Sequence, residues 1–231
     1  MLNFNSIKFF EILPRLKQNS EVIILDFNQI PPDLPDYKNI KVFFSKCKKE
    51  EIDPKLPKNR QGFNDALLLK TGKRYLIGRY GEDRKEMLKG SHIEKENRTI
   101  HLGIDIFSST LESIYSPFRG IIVRADKEAG PNSYGYYIII KHDIKGQIWY
   151  SFFGHLSKDL PKLGTFMKDR QKIATLGNFE ENGGWSRHIH YQILLDLPPV
   201  GKTPIGYSTK EDFKMNSKIF PDPRIVLGKV F

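Results

Sequence analysis

The stretch GGWSRHIHYQILLD (residues 183–196) sets two of the chain's six histidines, His188 and His190, two residues apart. Successive side chains of a strand alternate faces. The two imidazoles therefore point to one side, continued by Gln192 and Leu194, while Ile189, Tyr191, Ile193 and Leu195 form an apolar face. Such a pair reads either as metal-binding or catalytic groups, or as a structural pair on an exposed face. A second constellation, TIHLGIDIF, places His101 and Asp105 four apart. Gly103 and the β-branched neighbours argue against a helix. In an extended strand the two share a face with Cα atoms about 13 Å apart. That is slightly too far for both to reach one ion at roughly 2 Å. A bend at Gly103 brings them into range; otherwise Asp105 is a turn residue and His101 a strand end. Two imidazoles, one carboxylate and a water make an open tetrahedral zinc site, and these donor types suit zinc among the divalent metals.

The remaining histidines separate by position. His155 in SFFGHLSKDL follows the end of a strand. YGYYIIIKHD and QIWYSFFG read as a hairpin joined at DIKG, with His142 beside the turn and His155 beyond the opposite end. The two are then about 25 Å apart and cannot serve one site. His142 is expected to be an exposed strand-end residue. His92, within the charged KGSHIEKENR, is expected on the surface.

The elements that must carry these residues read as mainly β. From about Gly72, KRYLIGRY, HLGIDIFS, GIIVRAD, YGYYIIIKHD, QIWYSFFGHL, KIATLGN and HIHYQILLD have strand-like content, separated by glycine turns. An antiparallel sheet forming an open sandwich or split barrel is expected. A Pro/Gly-rich tail should wrap the core. The first third differs. SIKFFEILPRLKQ has helical spacing, EVIILDF reads as a short buried strand, and QIPPDLPDYKN breaks regular structure. KVFFSKCKKEEIDPKLPKNRQG starts strand-like and becomes a charged loop or short helix. Residues 1–71 are therefore read as a small α/β appendage and residues 72–231 as the main domain. No catalytic motif falls in residues 1–60.

The 231 residues provide ample length for a core. No apolar run approaches the roughly 20 residues that cross a bilayer. The N-terminus lacks a basic start, a sustained apolar stretch and a small-residue cleavage site, so a cytoplasmic location is expected, with export by a route without a signal peptide as the alternative. The single cysteine, Cys47, forbids an internal disulfide or a cysteine-based metal cluster. A net charge of +10 draws the chain to acidic polymers. No Lys/Arg block, zinc-finger spacing or aromatic RNA-binding signature is present, which argues against specific nucleic-acid recognition.

With these residues in hand, the region from His101 to Leu195 resembles the lysostaphin/LytM-type zinc metallopeptidases. It carries HLGID, FFGHLS and HIH in the family's order. The connecting pieces IYSPFRGIIVRAD and ENGGWSRHIHYQI match the family's strand turn and its Gly-rich approach to H-x-H. The resemblance implies one zinc ion bound by His101, Asp105 and His190. It implies that His155 and His188 stand beside the ion as catalytic groups, with His188 the expected base. The implied activity is that of a metalloendopeptidase, hydrolysing a peptide bond in peptidoglycan or its peptides through a metal-activated water.

The chain departs from the family pattern at STLES, at Phe153 and at DRQKIATLG. These positions bear on substrate contacts and loop shape, not on the ligands, and no charge-stabilising tyrosine can be singled out. The stretch GRYGEDRKEMLKGSHIEKENRTIHLGIDIF resembles a branch of this domain without a signal peptide, for which the substrate is a small peptide or amide, or a recycled wall fragment. Two other classes remain: a catalytically silent binding or regulatory domain on the same fold, and a basic protein that binds acidic polymers. Silent domains generally lose ligands, and here all five positions are filled.

Overall fold

The computed structural model describes residues 12–13, 22–24, 57–88, 90–130 and 132–228. The helix expected over residues 6–18, apart from Ile12 and Leu13, lies outside them, as do the proline-rich break at 29–39 and the segment 41–56 with Cys47.

Eight strands form one sheet in the order β1 (Val22–Ile24), β2 (Tyr75–Gly78), β4 (Ile104–Phe107), β11 (His188–Leu194), β8 (Gln147–Leu156), β7 (Gly135–Ile144), β6 (Gly120–Glu128) and β9 (Phe166–Met167). Every pairing is antiparallel except β1 with β2. Two small antiparallel ladders flank it: β3 (Ile100–His101) with β12 (Tyr207–Ser208), and β5 (Ser113–Tyr115) with β10 (Lys172–Thr175). The chain is thus mainly β, built on a large antiparallel sheet that does not close into a barrel.

The period-two pattern sets the layers. Ile138 and Ile140 of β7 enter one core with Ile106, Phe153, Ile189 and Tyr191, whereas Tyr137 and Ile139 enter a second with Leu102, Phe152, Leu194 and Phe220. Because both faces are covered, β7 reads as a near-continuous apolar run rather than a strict alternation. The tail supplies part of that cover. β12 pairs with β3, and Val226 and Leu227, in the short helix Arg224–Leu227, join the first core. Ile12 and Leu13 are buried in the same core, and the Ile12 carbonyl accepts from Tyr115 N. The β7–β8 hairpin turns through Lys145 and Gly146, both at positive φ, as a two-residue type I′ connection requires.

Helix α1 (Pro57–Thr71) takes the helical alternative left open for the end of KVFFSKCKKEEIDPKLPKNRQG and runs on past Gly62 for nine more residues. It opens on proline, whose missing N–H costs nothing in a first turn. It sits against the approach to β11: Asn64 Nδ2 donates to Ser186 Oγ at 3.2 Å, and Gln61 Oε1 accepts from the Arg187 amide. No helix among the described residues is long and apolar enough to cross a membrane.

Candidate metal centre

Strand order brings the sequence constellations together. β11 lies between β4 and β8, with His190 opposite Asp105 on one side and Gly154 on the other. His188 sits two residues along on the same face, and His155 is next to Gly154. His101 arrives from β3. The chain bends at Leu102–Gly103 before β4 begins, which shortens the span from His101 to Asp105 as expected. Gly103 has a second reason to lack a side chain: a Cβ there would lie 2.4 Å from Cε1 and 2.6 Å from Nε2 of His190.

His101, Asp105 and His190 present one ligand atom each to a common point. The edges of that triangle are 2.9 Å from His190 Nδ1 to Asp105 Oδ1, 3.2 Å from His190 Nδ1 to His101 Nε2, and 3.5 Å from His101 Nε2 to Asp105 Oδ1. Their hydrogen bonds fix the tautomers. His101 Nδ1 faces the Arg79 carbonyl at 2.9 Å, so it carries the proton and Nε2 carries a lone pair. His190 Nε2 donates to Gln192 Oε1 at 3.0 Å. The Gln192 amide cannot be turned round, because its Nε2 donates to the Ile205 carbonyl. Three acceptor atoms therefore converge with no hydrogen to place between them. A cation resolves that repulsion. Tetrahedral zinc with bonds of about 2.0–2.1 Å separates its ligand atoms by about 3.3 Å, so the donor set fits zinc.

Electrostatics point the same way. Burial lowers the pKa of His101 to about 4, with the Arg84 guanidinium adding to it, so the ring is neutral at pH 7. Burial raises the Asp105 carboxyl, but His101, Arg84 and His188 outweigh it and hold it well below the usual carboxylate range. Of those three, Arg84 is charged at neutral pH. Its Nη1 donates to Asp105 Oδ2 and its Nε donates to Glu82 Oε1 at 2.8 Å.

His155 and His188 flank the triangle. Their ring centroids are 4.2 Å apart, and His188 Nε2 lies 3.9 Å from Asp105 Oδ1. His188 Nδ1 donates to the Ser186 carbonyl and His155 Nδ1 to the Asn182 carbonyl, each at 2.7 Å. Both therefore keep an Nε2 lone pair. Burial pushes His188 down to about 4 and His155 well below its ordinary value, so both are unprotonated acceptors at pH 7. His155 sits at φ +64°, a left-handed conformation few non-glycine residues adopt. It is held from both sides, its amide donating to Tyr134 O and its carbonyl accepting from Gly177 N. The five residues are no more than 5% exposed, which excludes the exposed-face reading of the H-x-H pair.

The histidines set aside in the sequence divide. His92 is exposed, as expected. The exposed strand-end position expected for His142 is corrected: the residue is fully buried, with Nδ1 donating to the Arg119 carbonyl and Nε2 2.9 Å from Ser151 Oγ. The segment Pro117–Gly120 folds over it, with Phe118 edge-on to its ring.

Several contributors are not singled out by the sequence. Arg84 and the Arg79 carbonyl come from a turn that runs beside β3, tied by Gly81 N to His101 O at 2.8 Å and His101 N to Glu82 O at 3.0 Å. Gln192 had a signal, since it shares the histidines' face two residues on. Two tyrosines border the centre. The Tyr134 ring lies 5.1 Å from that of His190, and its hydroxyl is buried without a hydrogen-bond partner among the described residues. Tyr207 lies 5.5 Å from His101 and accepts from Arg84 Nη1 at 3.4 Å.

Residues 99–201 match the model of peptidase family M23. A protein of Haemophilus influenzae described as an uncharacterized metalloprotease is 30% identical over 96 residues, covering 42% of this chain and 19% of the relative. The chain thus spans about a fifth of that relative's length. Among solved structures, a zinc-containing peptidase from Vibrio cholerae is 27% identical, over 41% of this chain and 27% of that one, with a TM-score of 0.35. The catalytic domain of lysostaphin from Staphylococcus simulans is 23% identical, over 50% and 79%, with a TM-score of 0.36. The M23 match bears out the resemblance to lysostaphin/LytM-type peptidases over residues 99–201, the region that holds all five candidate residues.

Proposed function

We propose that this chain is a zinc-dependent endopeptidase in which His101, Asp105 and His190 hold the ion and His155 and His188 perform the proton transfers. The observation that carries this reading is the convergence of three proton-free donor atoms beside two further histidines whose Nε2 lone pairs are also free. When bound, zinc supplies Lewis acidity, polarising a carbonyl oxygen and lowering the pKa of water toward neutrality.

The protein's part is orientation and proton movement. His188 Nε2, close to Asp105 and unprotonated, accepts the proton of the attacking water. Its Nδ1–H on Ser186 O keeps that acceptor aimed at the centre. A neutral His155 cannot donate from Nε2, because its one hydrogen is engaged with Asn182 O. It meets negative charge on the tetrahedral carbon's oxygen only once it has taken up a proton, which the adjoining His188 ring is placed to share. We take the substrate to be a peptide of peptidoglycan or a fragment of it. The charge of +10 supports that choice, since it favours an anionic wall.

The test is release of new amino groups from purified peptidoglycan and its soluble fragments, with and without chelator, using the zinc-loaded chain. Chelator-sensitive release is expected, and the fragments cut locate the bond. Alanine at His101, Asp105 or His190 is expected to lose zinc. Alanine at His155 or His188 is expected to keep zinc and lose turnover by at least 100-fold, within the range for general acid–base groups. Equal zinc loss in all five variants would refute the division of roles. Absence of release from wall and from short peptides by zinc-loaded protein would make this a silent domain.

A further inference from the structure

We infer that Arg84 is a positioning residue for the metal, clamping one oxygen of Asp105 so that the carboxylate offers only the other. The inference rests on the zinc reading above. Arg84 is fully buried, and a buried cation is tolerated only where anions pair with it. Two do: Glu82 Oε1 accepts from Nε at 2.8 Å, and Asp105 Oδ2 accepts from Nη1. The partition of Asp105 is complete. Oδ2 belongs to the guanidinium, while Oδ1 faces His190 Nδ1 at 2.9 Å and His101 Nε2 at 3.5 Å.

The clamp has a chemical consequence. A carboxylate with both oxygens free can bind a metal through both, and the second oxygen would then fill a position that water and substrate need. With Oδ2 held, the chain supplies three donor atoms and leaves the rest of the coordination sphere open, as catalytic zinc sites require. Groups that hold a metal's ligands typically contribute 10- to 100-fold in affinity. Arg84 itself is placed by the turn beside β3, where its amide donates to Thr99 O at 2.9 Å. The same turn supplies the Arg79 carbonyl that sets the His101 tautomer. One short segment therefore orients two of the three ligands.

The test uses zinc affinity, from competition with a chromophoric chelator, and the visible spectrum of the cobalt(II)-substituted full chain. Neither needs a substrate. Arg84→Gln is expected to bind zinc at least tenfold more weakly, and its cobalt bands should lose intensity as a second carboxylate oxygen raises the coordination number. Arg84→Lys, which keeps the charge and one donor, should recover part of the affinity. Should Arg84→Gln misfold because Glu82 loses its buried partner and keeps only Arg79, the double variant Glu82→Gln/Arg84→Gln removes both charges and is read in the same way. Unchanged affinity together with an unchanged cobalt spectrum, in either variant with a wild-type circular dichroism spectrum, overturns the inference while leaving the metal site standing. Failure of the wild-type chain to take up zinc or cobalt would instead overturn the zinc reading and this one with it.

Discussion

Single atoms decide whether the centre can hold an ion, and Gly103 shows how narrow the tolerance is. The His190 ring lies directly over the Gly103 Cα, and a methyl group there would approach two ring atoms to 2.4 and 2.6 Å. The ring cannot yield without giving up its bond from Nε2–H to Gln192 Oε1, and Gln192 is in turn tied to the Ile205 carbonyl. Gly103→Ala should therefore turn Nδ1 of His190 away from Asp105 and weaken zinc binding by at least tenfold. The substitution sits in the short link between β3 and β4, outside the main sheet's ladders, so the metal-free chain should keep its fold. Chelator competition for zinc, paired with circular dichroism, reads both quantities. Wild-type affinity in Gly103→Ala would show that the ring's seat on Gly103 is irrelevant to the site.

At the scale of elements, β7, β8 and β11 are linked by a buried polar chain. His142 Nδ1 gives its hydrogen to Arg119 O, so Nε2 must accept from Ser151 Oγ, which leaves Ser151 to accept from the Tyr191 hydroxyl at 3.0 Å. Burial lowers the His142 pKa to about 4, against an ordinary value of 6.5. The unfolded chain therefore binds a proton that the folded chain refuses between those values, and the residue's contribution is intact above pH 6.5 and lost as pH falls toward 4. Between pH 7 and pH 5 the loss is about 2 kcal/mol. His142→Gln should be less stable at pH 7 and show a correspondingly shallower fall over that interval, measured by urea unfolding of the metal-free protein. Parallel pH profiles for the two proteins would refute the assignment. The same residue marks where sequence reading stops. Its place beside a hairpin turn is visible in the alternation of YGYYIIIKHD, but its burial depends on Pro117–Gly120 folding across it, which no local pattern encodes. The strands β6, β7, β8 and β11 are long enough for periodicity to appear. β5, β9 and β12 have two or three residues and none. His101, Asp105, His155, His188 and His190 were legible because HLGID, FFGHLS and HIH stand in the order of the lysostaphin/LytM-type family they resemble, whereas Arg84 stands alone in a charged turn and acquires meaning only from β3 beside it.

For the whole molecule, the metal should act as a fastener. Its proposed ligands come from β3, β4 and β11, and β3 is in turn paired with the tail strand β12, so one ion would join the main sheet to the segment that closes over it. Without the ion, three acceptor atoms stay crowded within 3.5 Å of one another, a repulsion the unfolded chain does not have. A ligand that binds only the folded state stabilises it by about 2.7 kcal/mol at 100 times its dissociation constant. For a chain of this size that corresponds to roughly 5–10 °C in Tm. Zinc is thus expected to raise the thermal midpoint by that amount, and chelator to reverse the rise. Asp105→Ala and His190→Ala should show no response to zinc. His155→Ala should respond like the wild type, because its Nε2 stands outside the donor triangle. A zinc response that survives Asp105→Ala would place the ion elsewhere in the molecule. A response abolished by His155→Ala would make that histidine a ligand, and a metal held by four protein donors has no position left for chemistry.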